Sequence, residues 1–414
     1  MISAVIKKEI LSNLLSYKFY VVILLTAVLT ATSFFVMARD FKERSADYNL
    51  IRPKPGEPIA VNPPNPLSIF AKGLDEAMAR SFEVSIIGIH VQSGQKSGNA
   101  VFGFFPAPDF LYVVRVILSL VALLFGFDQI SREKEAGTLR LMVANPASRA
   151  GLLAGKWLGN FLILTVPFLL VTMLGAAVLH LDPGIRLSAD QVLRLGLILI
   201  LTLFYIAFFL SLGILVSTLT RRASSSLVIL LFVWALLVFI LPNLGTLIAR
   251  QAVEVPSVRA LSEKRRQVWT REILLLTRGE GDWASHVKAI SAENDAIEAD
   301  YRIKFDRLVG LARTINRISP VAGFVYAATE IAGTGIGEEG AFKNEVVRYK
   351  NSLLERTLAS PDPGMADHPA FRYTYRPLDR VLTRGALFDA AWLVVFNILF
   401  FALSHTVFVR YDVR

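Results

Sequence analysis

Cysteine is absent from all 414 residues, so disulfides and thiolate metal sites are excluded. Histidine is nearly as scarce, with five residues and no H-E-x-x-H spacing of the kind a helical zinc site requires. No Ser/His/Asp arrangement can be argued from the order of residues. A nucleotide-binding phosphate loop of the form G-x-x-x-x-G-K-[ST] is missing. Its nearest approach, from Gly151 to Trp157, is one residue short and ends in Trp where Mg²⁺ needs a hydroxyl. A QSGQ run at 92–95 stands alone, with nothing resembling a nucleotide domain around it. No internal repeat is visible, so an inverted-repeat carrier gains no support. These absences leave no active site, and the expectation is a non-catalytic chain that binds no cofactor of its own.

Charge is also thin. Charged residues make up 19% of the chain, against roughly 25% in soluble domains. What is plentiful is hydrocarbon: 54% apolar residues and a mean hydropathy of +0.50. It is gathered into runs at 19–38, 110–127, 157–179, 195–219, 227–248 and 386–409. Each is near the ~20 residues that cross a bilayer as a helix. The first is longer than a signal-peptide core of about 7–15 residues, and reads as an uncleaved span. Six spans put both termini on one side. The expected fold is an all-α polytopic membrane protein with six transmembrane helices.

The positive-inside rule orients it. With cytoplasmic termini, residues 1–18, 126–156, 221–222 and 410–414 lie inside and carry +7 of the chain's net +10. The basic balance therefore serves topology, and no nucleic-acid partner is implied. The expected location is the bacterial inner membrane, multi-pass.

Residues 1–18 are expected to form an amphipathic helix on the cytoplasmic face, with Ile2, Val5, Ile6, Ile10 and Leu14 on one side and Lys7, Lys8 and Glu9 opposite, its lysines toward anionic headgroups. The alternative is a soluble extension continuous with the first span. Residues 39–109 make a first outer domain. Its segment RPKPGEPIAVNPPNP holds six of the 18 prolines and predicts an extended linker. Beyond it, 74–80 suits a short helix, and FEVSIIGIHV alternates like a strand. The reading is a small mixed α/β domain. Residues 249–385 make a second, helical one. A helix at 255–276, a TRGEGD turn and a heptad stripe from Val287 through Ile318 predict a helical hairpin. SPVAGFVYAATEIAGTGIG is too short and broken to span, and is expected along the outer leaflet. A third helix is expected near 338–358.

Between the second and third spans, residues 128–156 interrupt the hydrocarbon with REKEAGTLRLMVANPASRAGLLAGK. A short apolar turn, 139–143, is flanked by charges, as suits a helix seating in a partner's groove. Gly137 permits a bend or close approach, and Ser148 can cap the next helix.

This stretch resembles the cytoplasmic connector of the second ABC export-permease superfamily. The shared pattern is acidic-x-E-x-G-T-hydrophobic, then P-x-S-R, then G-K. Here it falls on Glu133, Glu135, Gly137, Thr138, Leu139, Pro146, Ser148, Arg149, Gly155 and Lys156. The stretch IKKEILSNLLSYKFY is similar to that superfamily's N-terminal elbow. The two large outer segments look most like the NosY-type branch. The resemblance implies a type V ABC exporter-like permease, whose coupling helix docks on a separate ABC ATP-binding subunit. It implies two copies of that subunit, holding ATP and Mg, and a second permease copy or paralogue. Membrane lipids and an extracytoplasmic protein complete the expected partners. The coupling residues implied are Glu133, Glu135, Gly137, Thr138, Leu139, Pro146 and Arg149.

Two charges fall inside spans, Arg115 in the second and Asp389 in the sixth. They either pair with each other, or Arg115 snorkels to the interface. Asn397, Ser404 and His405 form a polar stripe suited to interhelical hydrogen bonding. The function expected is an ATP-driven permease exporting or extracting a substrate. Its rivals are mechanotransmission to an outer partner without transport, and a membrane-anchored scaffold.

Overall fold

In the computed structural model, which describes residues 2–78, 81–91, 108–139, 148–360 and 368–410, six helices are long and apolar enough to cross a membrane. They are Tyr17–Ile51, Phe110–Glu135, Arg149–Leu181, Ala189–Leu219, Ala223–Ala252 and Leu387–Arg410. With the family matched below, they make the chain an all-α polytopic membrane protein. The first helix continues well past the hydrocarbon run at 19–38, because nothing in ARDFKERSADYNLI breaks a helix before Pro53.

The fourth span is the pillar. Its apolar window is 72% buried, against 11% for the fifth. Gly213 lets the second span approach closely: a Cβ there would lie 3.0 Å from Gly126 Cα, and one on Gly126 would lie 2.9 Å from Gly213 Cα. Small residues at such crossings bring backbones into contact where lipid gives no hydrophobic drive between helices. The sixth span joins the fourth through the polar stripe, Asn397 donating to Phe204 O at 2.9 Å and Ser404 to Ser211 O. Segments Val113–Leu118, Leu236–Ile240 and Leu382–Ala386 widen into π-helix in the second, fifth and sixth spans' helical runs.

At the end of the bundle away from the connector, the two long inter-span segments meet in one core. Strands β1 (Ile59–Ala60), β2 (Phe82–Ser85) and β3 (Gly88–Val91) form an antiparallel sheet in that order. FEVSIIGIHV is thus a hairpin turning at 86–87 and not one strand, with Phe82 opposite Val91. The sheet lies on the helix Ile336–Ala359, burying Ala60, Val84, Phe342, Val346 and Leu353 together. The helices Val258–Thr277 and Trp283–Asn316 stand as an antiparallel pair.

The small-residue stretch does not lie along the bundle's surface. It forms the helix Pro320–Ala332, buried between the fourth and sixth spans. Phe324 stacks on Tyr205 at 4.3 Å between ring centroids, and Ser319 donates to Leu237 O. Both contact points lie about 21 Å from the connector ends of their spans at 1.5 Å per residue. The helix is therefore re-entrant. Its Ala, Gly and Thr residues allow it to fit between spans, and its last carbonyls are satisfied by Arg194, donating to Ile331 O, and by Asn65, donating to Ala332 O.

Candidate coupling site at the connector

After the second span the chain turns at 127–130 and makes one short helix, Ser131–Glu135. Its placement follows from hydrogen bonds to the end of the fourth span. Ser217 Oγ accepts from the backbone N–H of both Ile130 and Ser131 at 3.0 Å. The Lys134 ammonium donates to the carbonyls of Thr218 and Thr220, the orphan acceptors of a helix C-terminus. The Glu135 carboxylate accepts from Ala223 N at 3.2 Å, at the start of the fifth span. A carboxylate there also complements the helix dipole.

Glu133 points the other way, into the protein. Its carboxylate takes a hydrogen bond from Lys156 Nζ at 2.7 Å, and the same ammonium reaches Glu9 at 3.1 Å. Lys156 and Glu9 are 4% and 7% exposed, so one buried cation holds two carboxylates from different elements. Asn160, one turn further along the third span, extends the network by accepting from Asn13 at 3.0 Å and Gln129 at 3.3 Å.

Glu9 reaches this position because the elbow helix, Ile2–Leu14, lies directly on the third span. Gly151, Gly155 and Gly159 recur every four residues and so share one helix face. A Cβ on Gly155 would lie 2.9 Å from Val5, and one on Gly159 would lie 2.8 Å from Glu9 Cβ. The expectation that Glu9 shares an outward polar face with Lys7 and Lys8 is corrected: the lysines are exposed, but Glu9 is buried. The amphipathic pattern shows which side is apolar. It does not show that a glutamate at its edge finds a lysine 147 positions later.

The sequence-predicted coupling residues therefore separate. Glu133 is engaged inward. Leu139 is buried in the chain's own core, so it is not a free knob for a partner. Gly137 serves the turn: its φ is +70°, and a Cβ there would meet nothing within 4 Å, so it supplies a bend and not a close approach within this chain. Thr138 is exposed and donates weakly to Glu133 O. Arg149 donates to Val409 O, tying the third span to the end of the sixth. Pro146 lies outside the described residues. Arg132, Glu135, Ala136, Gly137 and Thr138 remain on the surface. Among the described residues, no group of three His, Asp or Glu side chains converges as a metal site would require.

The intramembrane pair is also corrected. Asp389 is fully buried but binds Arg313 at 2.5 Å and Arg317 at 2.6 Å. Arg115 instead lies over the Tyr112 ring. The partners of Asp389 come from the base of the hairpin, a segment that the hydropathy pattern puts between spans.

Comparison with known proteins agrees with this architecture. A model described as ABC-2 family transporter protein matches residues 3–413. The probable ABC transporter permease protein NosY of Stutzerimonas stutzeri is 33% identical over 96 residues, covering 23% of this chain and 35% of that protein. The same-named protein of Pseudomonas aeruginosa is 32% identical over 117 residues, covering 27% and 41%. The chain thus aligns with well under half the length of these relatives. The family match spans nearly every residue, and the chain belongs to the ABC-2 family of transporter proteins.

Proposed function

We propose that this chain is the non-catalytic permease subunit of an ATP-driven ABC transporter, and that residues 128–156 receive the motion of a separate ATP-binding subunit. The observation that carries this is the attachment of the connector helix. Within five residues, Glu133 is tied through Lys156 to the third span and elbow, Lys134 to the end of the fourth span, and Glu135 to the start of the fifth. A push on the exposed Ala136–Thr138 turn would be shared by four elements. An isolated solvated loop would dissipate it. In this reading the termini are cytoplasmic, two permeases work with two ATP-binding subunits that hold ATP and Mg, and the protein sits in the bacterial inner membrane.

The partner's contact differs from what the motif alone suggested. Glu133 tunes the joint from inside, and docking falls to Arg132 and the 136–138 turn. Ala136→Trp should release a co-expressed ATP-binding subunit during purification, since it adds bulk only at the exposed turn, while the permease itself still inserts and purifies. If Ala136→Trp and Thr138→Lys both retain the subunit, with ATPase activity still responsive to the permease, the connector is not the docking site.

A second reading, mechanotransmission to an outer partner without transport, is favoured by one observation. The outer layer is joined to the sixth span and wedged between spans by the re-entrant helix, so motion of the bundle has a path outward that needs no transported solute.

A further inference from the structure

Six charged side chains at the far end of the bundle alternate in sign without interruption. Arg317 meets Asp389 at 2.6 Å, Asp389 meets Arg313 at 2.5 Å, and Arg313 approaches Glu330 at 3.7 Å. Glu330 meets Arg376 at 3.1 Å, and Arg376 meets Glu338 at 2.7 Å. Three guanidiniums balance three carboxylates, and all three carboxylates are buried. The six come from five elements: the base of the hairpin (Arg313 and Arg317), the sixth span, the re-entrant helix, the irregular segment 368–377 and the helix Ile336–Ala359.

The chain's path around this cluster is what gives it meaning. Between Arg376 and Asp389 lies the π-helical segment Leu382–Ala386, where Gly385 takes φ 135°. That backbone conformation is one L side chains rarely adopt, and it marks the sharpest irregularity before the sixth span. The anchors on its two sides both return to the Arg313–Glu330 link. Arg313 also lies over the Tyr326 ring, and Arg317 over Phe388 at 4.6 Å. Asn316 binds Gly245 N and Tyr326 OH, closing the hairpin base onto the fifth helix and the re-entrant helix.

We propose that these six side chains form a clasp across the Gly385 kink that ties the tilt of the sixth span to the base of the outer hairpin, with Asp389 and Arg376 as its two positioning residues. Buried ion pairs contribute little net stability against apolar replacements, but they punish loss of one partner and so enforce geometry. An alternating chain extends that constraint, because each inner member is held from two sides. The proposal deepens the transporter reading by naming the outward path of motion. It does not require the ATP-binding subunit, so it can be tested without one.

The absence of cysteine makes the test direct. Spin labels at Asp306→Cys on the hairpin and Leu399→Cys on the sixth span report their separation in the purified chain in nanodiscs. The native protein should give one narrow distance distribution. Asp389→Asn should broaden it, as any local staple would. The deciding variants are Arg376→Gln and Glu338→Gln, which touch neither labelled helix. A clasp requires both to broaden the distribution, to roughly twice the native width as local opening becomes accessible. Lys304→Gln, which removes only the exposed pair with Asp300, should leave it narrow. If Arg376→Gln and Glu338→Gln leave the native width while Asp389→Asn broadens it, the contacts are a local staple and the clasp is wrong. Addition of an ATP-binding subunit with nucleotide is a separate arm. No shift there counts against the motor reading and leaves the clasp standing.

Discussion

Lys156 shows how much one residue can decide. In the sequence it is the last letter of a G-K pair at the head of a span, and nothing local says what it binds. In the fold its ammonium is buried and bridges Glu9 and Glu133, which come from two different elements. Lys156→Met should therefore cost about 3–5 kcal/mol, the range for removing one partner of a buried ionic group. Combining it with Glu9→Gln and Glu133→Gln should recover much of that loss, because no charge is then left unpaired. Denaturation monitored in detergent would compare the variants. A triple variant no more stable than Lys156→Met would mean that packing of the lysine stem, not charge, is what matters. The residue scale is also where sequence reading was weakest. Asp389 and Arg115 both stand out as charges in hydrocarbon runs. Of the two alternatives open for them, pairing or snorkelling of Arg115, the structure excludes the pairing by giving Asp389 to Arg313 and Arg317. Arg313 and Arg317 sit in a heptad-patterned helix whose polar positions look solvated until the helix is seen to descend to the sixth span.

At the scale of elements, periodicity was the reliable signal. The six hydrocarbon runs, the hairpin and the helix Ile336–Ala359 follow from spacing that each segment carries by itself. The re-entrant helix does not. Its small residues suit a surface or a tight interior equally, and only packing against the fourth and sixth spans selects the second. The glycine stripe at 151, 155 and 159 was a readable signal for a close helix crossing, though it does not name the elbow as the neighbour. The hairpin tip makes a prediction of its own. His286 Nδ1 lies 2.9 Å from the Glu272 carboxylate, and its Nε2 faces Glu280 O. Two acceptors favour the doubly protonated ring. The Glu272 hydrogen bond and the Glu280 carbonyl raise the imidazole above its usual 6.5. The hydrogen bond from His286, with Arg271 assisting, lowers Glu272 below its usual 4.5. The raised histidine stabilises the folded tip fully below pH 6.5 and loses that contribution as pH rises through its folded value. The lowered glutamate contributes fully above pH 4.5 and loses it as pH falls through its own. Amide exchange near residues 272–290, corrected for intrinsic rates, should be slowest between those limits and faster at pH 8.5. His286→Gln should flatten the alkaline limb. An alkaline limb unchanged by that substitution would assign it elsewhere.

The whole molecule is organised by an asymmetry of charge along the bundle. One end gathers the elbow, the connector, the 221–222 turn and the end of the sixth span, and the other carries the long folded segments. A membrane in which basic loops stay inside would place the first end in the cytoplasm. The coupling role proposed for the connector depends on that placement, since an ATP-binding subunit would have to meet it where ATP is made available, whereas the clasp does not. The orientation is open to a clean measurement because the chain has no thiol of its own. Ser148, Ser224 and Ser285 are all exposed, so accessibility within the protein does not bias the comparison. Single cysteines at Ser148 and Ser224 should resist an impermeant thiol reagent in spheroplasts and react once the membrane is opened. A cysteine at Ser285, on the hairpin, should react in both conditions. Reaction of Ser148→Cys in sealed spheroplasts would invert the topology. It would put the elbow and connector on the wrong side for a nucleotide-driven partner, whatever their internal bonds, and leave a six-span scaffold as the better account of the same fold.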